Sequence, residues 1–223
     1  MHLRDDFARR EVIDTTAIPW VSSPGGHVER RMLDRTGAER ARATSIVRYA
    51  AESRFPAHEH GGGEEFLVLA GTFSDDDGDF PAGWYVRNPV GSRHAPRSAP
   101  GCVIFVKLWW MHAADQAFVR IDTIAARPED AGRNVGVVSL HRFADESAAI
   151  LHLAPGAVVP ERALPGGEEF LVLSGTCHDE GGTYTPMTWS RHPPGHASAL
   201  TSATGARLFV KRGHLSNPPA PPG

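Results

Sequence analysis

His58 and His60 stand two residues apart, and after the glycine run Gly61-Gly62-Gly63 comes Glu64. On an extended strand, residues two apart leave the same face, so both imidazoles point the same way and the glycine turn folds the chain back to bring Glu64 beside them. His94 follows from a later strand, after a bend at Pro89 and Gly91. Three neutral imidazoles and one carboxylate suit one divalent metal ion, zinc first, with iron, manganese and nickel also compatible with these donors. A single surface histidine, or a glutamate at a strand start, is ordinarily just solvated. Four such residues at this spacing are better read together as a metal site.

The elements that must position them read as short strands. TSIVRYA, EEFLVLAG, GWYVRN and CVIFVKLWW are rich in β-branched and aromatic residues, with glycine or proline between them, and no stretch keeps a period of 3.6. Turn clusters such as SDDDGD and HDEGG complete the pattern of an antiparallel sandwich or barrel. In FLVL the apolar residues do not alternate with polar ones, so both faces are expected to be covered, with Leu67 and Leu69 on the face away from the barrel interior. Sliding the chain by 104 residues lays Glu64 to Gly71, EEFLVLAG, on Glu168 to Gly175, EEFLVLSG, and residues 56–110 share 23 identities with 160–214. This is a duplicated domain. Two copies are too few for a solenoid, so each is expected to close its own core. The expected division is 1–115 for the first, metal-binding copy and 116–214 for the second, leaving 215–223 as a disordered tail. REVIDTTAIPW and FVRIDTIAARP, ahead of the two copies, read as further strands.

Composition narrows the partners. With 223 residues, 41% hydrophobic, the chain can fill a real core, and its formal charge of -3 offers no basic face for nucleic acid. The N-terminal MHLRDDFARREV is charged where a secretory leader is apolar, and no apolar run reaches membrane-spanning length, so a cytoplasmic location without membrane attachment is expected. Cys102 and Cys177 form no Cys-x-x-Cys pair and read as reduced core residues.

The segments His58-x-His60-x3-Glu64-x6-Gly71 and Gly83-x5-Pro89-x-Gly91-x2-His94 resemble the two cupin motifs. In that fold three histidines and one glutamate bind a metal inside a small jelly-roll barrel, so the resemblance implies an all-β fold of two tandem cupin barrels. Ser98 departs from the asparagine usual in the second motif, at a position that is not a ligand. More closely, the stretch from HEHGGGEEFLVLAG to CVIFVKLWW is similar to the cupin domains of the ChrR-like family, named after anti-sigma factors of stress responses. The anti-sigma members carry an N-terminal helical zinc domain with histidine and cysteine ligands. The first 50 residues here hold no cysteine and read as strands, which argues against sigma-factor binding.

In copy two, Arg162, Leu164 and Ser198 replace His58, His60 and His94, and only Glu168 matches a ligand. One metal ion per chain is therefore expected. The second barrel reads as a structural partner, or as an organic-ligand pocket with Glu168 and Arg162 as polar groups; His178, His192 and His196 are a weaker alternative metal set. Two functions remain. The leading one is a ligand or oxidative-stress sensor or regulatory module holding a metal, and the alternative is an iron-dependent dioxygenase acting on a small diketone or enol. Trp84, Tyr85, Phe66 and Phe105 could line a substrate pocket, although aromatic residues in a small barrel are more often plain core. A homodimer and a small-molecule ligand are the expected partners.

Overall fold

Strand signals and turn residues become antiparallel sheets throughout the computed structural model, which describes residues 1–23, 28–38 and 40–222. The only helical element among them is a single 3-10 turn at Thr15–Ala17. The chain forms two compact units. The first comprises Met1–Asp5, Ala17–Ile124 and Pro219–Gly223, and the second Asp6–Thr16 and Ala125–Pro218.

In the first unit the main sheet runs His2–Leu3, Val28–Gly37, Ala41–Tyr49, Cys102–Leu108, Glu64–Asp75, Trp84–Asn88, Val119–Asp122, with every pairing antiparallel. Short strands face it: Ser53–Arg54 with Arg97–Ser98, Gly78–Pro81 with Glu64–Asp75, and His58–Glu59 with Arg93–His94. Side-chain alternation sends Phe66 and Val68 inward to meet Val106 and Ile104, and with Val28, Val47, Phe73 and Val86 they form the core. Each fully buried aliphatic or aromatic side chain of this set contributes about 1.5–3 kcal/mol. Leu67 points the other way yet is also buried, between Tyr85 and Phe105 in register.

The second unit repeats the plan. Its main sheet runs Glu129–Asp130, Val135–Phe143, Glu146–Leu153, Ala206–Arg212, Glu168–Gly175, Thr188–His192, Glu11–Asp14, and a smaller sheet joins Ala157–Ala163, Ala197–Ser202, Cys177–Asp179 and Gly182–Tyr184. The core gathers Leu151, Leu153, Phe170, Val172, Tyr184 and Leu208.

Equivalent edge strands are exchanged along the chain. Val119–Asp122, from the segment ahead of copy two, pairs with Trp84–Asn88 of the first unit, while Glu11–Asp14, ahead of copy one, pairs with the equivalent Thr188–His192 of the second. A cut at 115/116 therefore does not follow the compact units. Within the tail expected to be disordered from 215 on, Leu215 is buried, and the Pro219 carbonyl accepts a hydrogen bond from Arg42 Nη1 at 2.6 Å. No helix among the described residues is long and apolar enough to cross a membrane.

Candidate metal centre

His58 and His94 are direct partners across the Arg93–His94 and His58–Glu59 pair, which places both side chains on one face. His60 lies just past that pair, held by its backbone N–H to the Ser92 carbonyl and by its own carbonyl to Gly91 N–H, each 2.9 Å. The turn that follows has no room for side chains. A Cβ at Gly62 falls 2.3 Å from the Trp109 ring, and Gly63 sits at φ +73 against Met111. Glu64 then opens the strand Glu64–Asp75, opposite Asn88 and Leu108.

One nitrogen from each of His58, His60 and His94 lies within 4.8 Å of the others, a group suited to one metal ion. His60 Nε2 and His94 Nε2 are 3.1 Å apart, and Glu64 Oε2 is 3.5 Å from each. The opposite ring nitrogens are all engaged. His94 Nδ1 meets Asp75 Oδ2 at 3.0 Å, His58 Nδ1 the Pro56 carbonyl at 3.2 Å, and His60 Nδ1 the Ser92 hydroxyl at 2.9 Å. A carbonyl and a carboxylate only accept. The Ser92 hydroxyl donates its hydrogen to the Pro89 carbonyl at 2.6 Å, so it too accepts from histidine. Each ring is thereby assigned the Nδ1–H tautomer, leaving every Nε2 lone pair for the centre. Two lone pairs facing each other at 3.1 Å repel unless a cation lies between them. That separation also suits two donors at roughly 2.1 Å from one ion, so the residues fit a divalent metal.

Asp75 was not anticipated as part of this site, although its Asp179 counterpart preserves it in the repeat. It reaches inward because the strand slips register by one residue opposite Val103 and Ile104, which moves Phe73 and Asp75 onto the interior face. Burial raises the Asp75 carboxyl, but the hydrogen bond from His94 and the backbone N–H of Asp77 outweigh it and hold the pKa below the ordinary value. For His60, burial dominates over the attraction of Glu64 and pushes the imidazole down to about 4. Neutral imidazole is the form that binds metal.

His58, His60 and Glu64 open on a cavity of about 580 Å³, also lined by Tyr49, Phe55 and Trp109 and by three arginines, Arg30, Arg35 and Arg40. None of Trp84, Tyr85, Phe66 and Phe105 lines it, and Phe66, Tyr85 and Phe105 are buried, in keeping with the core reading of these aromatics. Phe66 fills the core, and Tyr85 is turned to the other face, where its hydroxyl donates to Glu65 at 2.7 Å.

In the second unit Arg162 pairs with Ser198 across the strands, where His58 pairs with His94 in the first. Leu164 is buried at the His60 position, and Glu168 accepts from Arg212 Nε at 2.5 Å with Arg162 Nη2 at 3.5 Å. Two guanidinium groups supply the positive charge there, and the remaining space is about 10 Å³, enough for a water at most. Of the two expectations for this barrel, structural partner or organic-ligand pocket, the small space between Leu164, Glu168 and Arg212 favours the first. His192 and His196 do approach, with ring centroids 4.7 Å apart, but Arg10 already pairs with the neighbouring Asp179 at 2.8 Å, and the described residues form no second metal group there. Both cysteines are free and buried; burial raises Cys102 to about 11 and Cys177 to about 12, so neither is a thiolate at neutral pH.

The family described as ChrR Cupin-like domain matches residues 8–112 and again 114–216. The chain belongs to this cupin family. Solved structures with the same fold include a candidate dioxygenase of Nostoc punctiforme, 16% identical with a TM-score of 0.75, covering 96% of this chain and 88% of that one. The protein YlbA of Escherichia coli is 16% identical with a TM-score of 0.71, over 93% and 92% of the two chains. A deletion variant of Bacillus subtilis oxalate decarboxylase is 12% identical with a TM-score of 0.61, over 92% and 77%. No curated protein matches in sequence. At these identities the likeness is one of cupin fold.

Proposed function

We propose that the first cupin unit is a mononuclear divalent-metal centre of a small oxygenase, acting on an organic molecule with adjacent oxygen donors such as an enol or diketone. The observation that carries this reading is the cavity of about 580 Å³ on which His58, His60 and Glu64 open. Ligands that face a cavity of substrate size leave coordination positions for water or substrate, which a closed structural zinc site does not. His58, His60 and His94 would hold the ion through Nε2, their rings fixed by Pro56, Ser92 and Asp75. Bound ferrous iron would supply redox chemistry toward dioxygen. Glu64 would be a weak fourth donor or none: its contact from Asn88 Nδ2 is a long 3.4 Å, which leaves Oε2 available to receive a proton from an enol oxygen. Val28, Val47, Ile104 and Val106 give part of the cavity wall an apolar character suited to the carbon skeleton of such a molecule. Among the fold neighbours, one is named for dioxygenase and one for decarboxylase activity.

The test is oxygen uptake by protein loaded anaerobically with ferrous iron and given a panel of small diketones and enols. Substrate-dependent uptake is expected, absent from the zinc form and lost with the metal in His60→Ala. A second reading is supported by the ChrR family and by the closed second barrel: a metal-holding sensor with no turnover. Absence of uptake with every metal, together with a fall in melting temperature or a change in association on chelation, would favour it.

A further inference from the structure

The same cavity carries a second chemical feature that a metal centre alone does not require. Arg30 and Arg35 belong to the strand Val28–Gly37, whose partner is Ala41–Tyr49. Direct partners in an antiparallel pair share a face, and the cavity-lining residues of the partner strand are Tyr49, Val47 and Ala41. Val28 stands opposite Tyr49 and Arg30 opposite Val47, so Arg30 faces the cavity by simple alternation. Arg35, an odd number of residues further on, would face away. The register slips between Met32 and Asp34, setting Arg35 opposite Ala43 and turning it to the same side. The fold thus places two guanidinium groups on the cavity wall, and exposed Arg40 adds a third.

The acidic side chains among the described lining residues are Glu59 and Glu64. Glu59 lies 3.6 Å from Arg93, and Glu64 faces His60 and His94. Arg30 has no carboxylate partner among the described residues. Arg35 is buried, and burial first and the neighbouring Arg30 charge second lower its pKa, so the two cations stand close enough to repel. The second unit supplies an internal control. By register, Val137 opposite Leu151 takes the place of Arg30 opposite Val47, and Val137 packs on that unit's core. The unit without the three histidines is also the unit without this arginine.

We infer that Arg30, assisted by Arg35, is a carboxylate-binding subsite, so the ligand of this cavity is a small molecule with metal-binding oxygens at one end and a carboxylate at the other. A planar guanidinium matches a carboxylate through paired N–H donors, and in a partly dehydrated cavity the charge-assisted bonds are stronger than in water. This assignment rests on the proposal that the histidine cluster holds a metal whose ligand occupies the cavity.

The test is calorimetric titration of zinc-loaded protein with 4,6-dioxoheptanoate and with heptane-2,4-dione, which share the diketone but differ in the terminal carboxylate. The carboxylate compound is expected to bind about tenfold or more tighter. Arg30→Gln should abolish that preference and Arg30→Lys retain part of it, with zinc content and heptane-2,4-dione affinity as internal controls. Equal affinities in the wild type, or a preference that survives Arg30→Gln, overturns the carboxylate subsite and leaves the metal cavity standing. If neither diketone binds zinc-loaded protein, both readings fall.

Discussion

At the scale of single residues, the proposed metal centre would depend on groups outside its ligand set. Asp75, Ser92 and the Pro56 carbonyl each hold one Nδ1–H, and so decide which nitrogen carries the lone pair. Asp75 is the strongest of these because its bond is charge-assisted and buried. Asp75→Asn can offer the same ring its amide N–H₂ instead of an acceptor, which frees His94 to take the wrong tautomer. Metal affinity should fall about 10–100-fold in Asp75→Asn, as outer-shell losses commonly do. Competition against a chromogenic chelator measures it, and unchanged affinity would remove Asp75 from the site.

Among the elements, the turn between His60 and Glu64 sets the distance between two of the four proposed donors. It is tight because the Trp109 indole lies over Gly62, while the Trp109 backbone N–H donates to the Gly63 carbonyl at 3.1 Å. In Gly62→Ala the new methyl meets ring atoms at 2.3–2.5 Å, so turn or indole must move. The expected cost is about 1–3 kcal/mol with weakened metal binding, and Trp109→Ala in the same chain should relieve the turn. Denaturant melts of the two single variants and the double variant measure the coupling; strict additivity would show that Trp109 does not set the turn. The two register slips work at this scale as well, one presenting Asp75 and the other Arg35 to the interior.

Across the whole molecule, buried neutral histidines make acid the natural denaturant. Burial lowers His60 to about 4 and lowers His192 and His152 below their ordinary value, with Glu168 partly opposing the shift at His192 and Arg207 adding to it at His152. The unfolded chain then binds protons that the folded one refuses, between the free-histidine pKa of about 6.5 and the lower folded values. Stability of metal-free protein should be fully present above about 6.5 and decline as pH falls toward about 4, with His60 alone contributing about 3 kcal/mol across that window. Urea midpoints against pH test this, and His60→Gln should flatten the curve. A midpoint constant down to the carboxylate range would contradict it.

The repeat, the strand composition and the motif around His58, His60, Glu64 and His94 were legible without coordinates, because duplication and ligand spacing are properties of order along the chain. Alternation also announced which strand residues share a face. It could not announce where alternation breaks: the slips that turn Asp75 and Arg35 inward come from pairing with Val103, Ile104 and Ala43, residues that are remote or on another strand. Nor could it tell that Glu11–Asp14 completes the second unit's sheet, since an edge strand pairs wherever backbone donors are left open, not where sequence order suggests. The cavity and its closed counterpart were decided by volume. Leu164 and Arg212 fill one barrel while the other keeps about 580 Å³, and packed volume exists only in three dimensions.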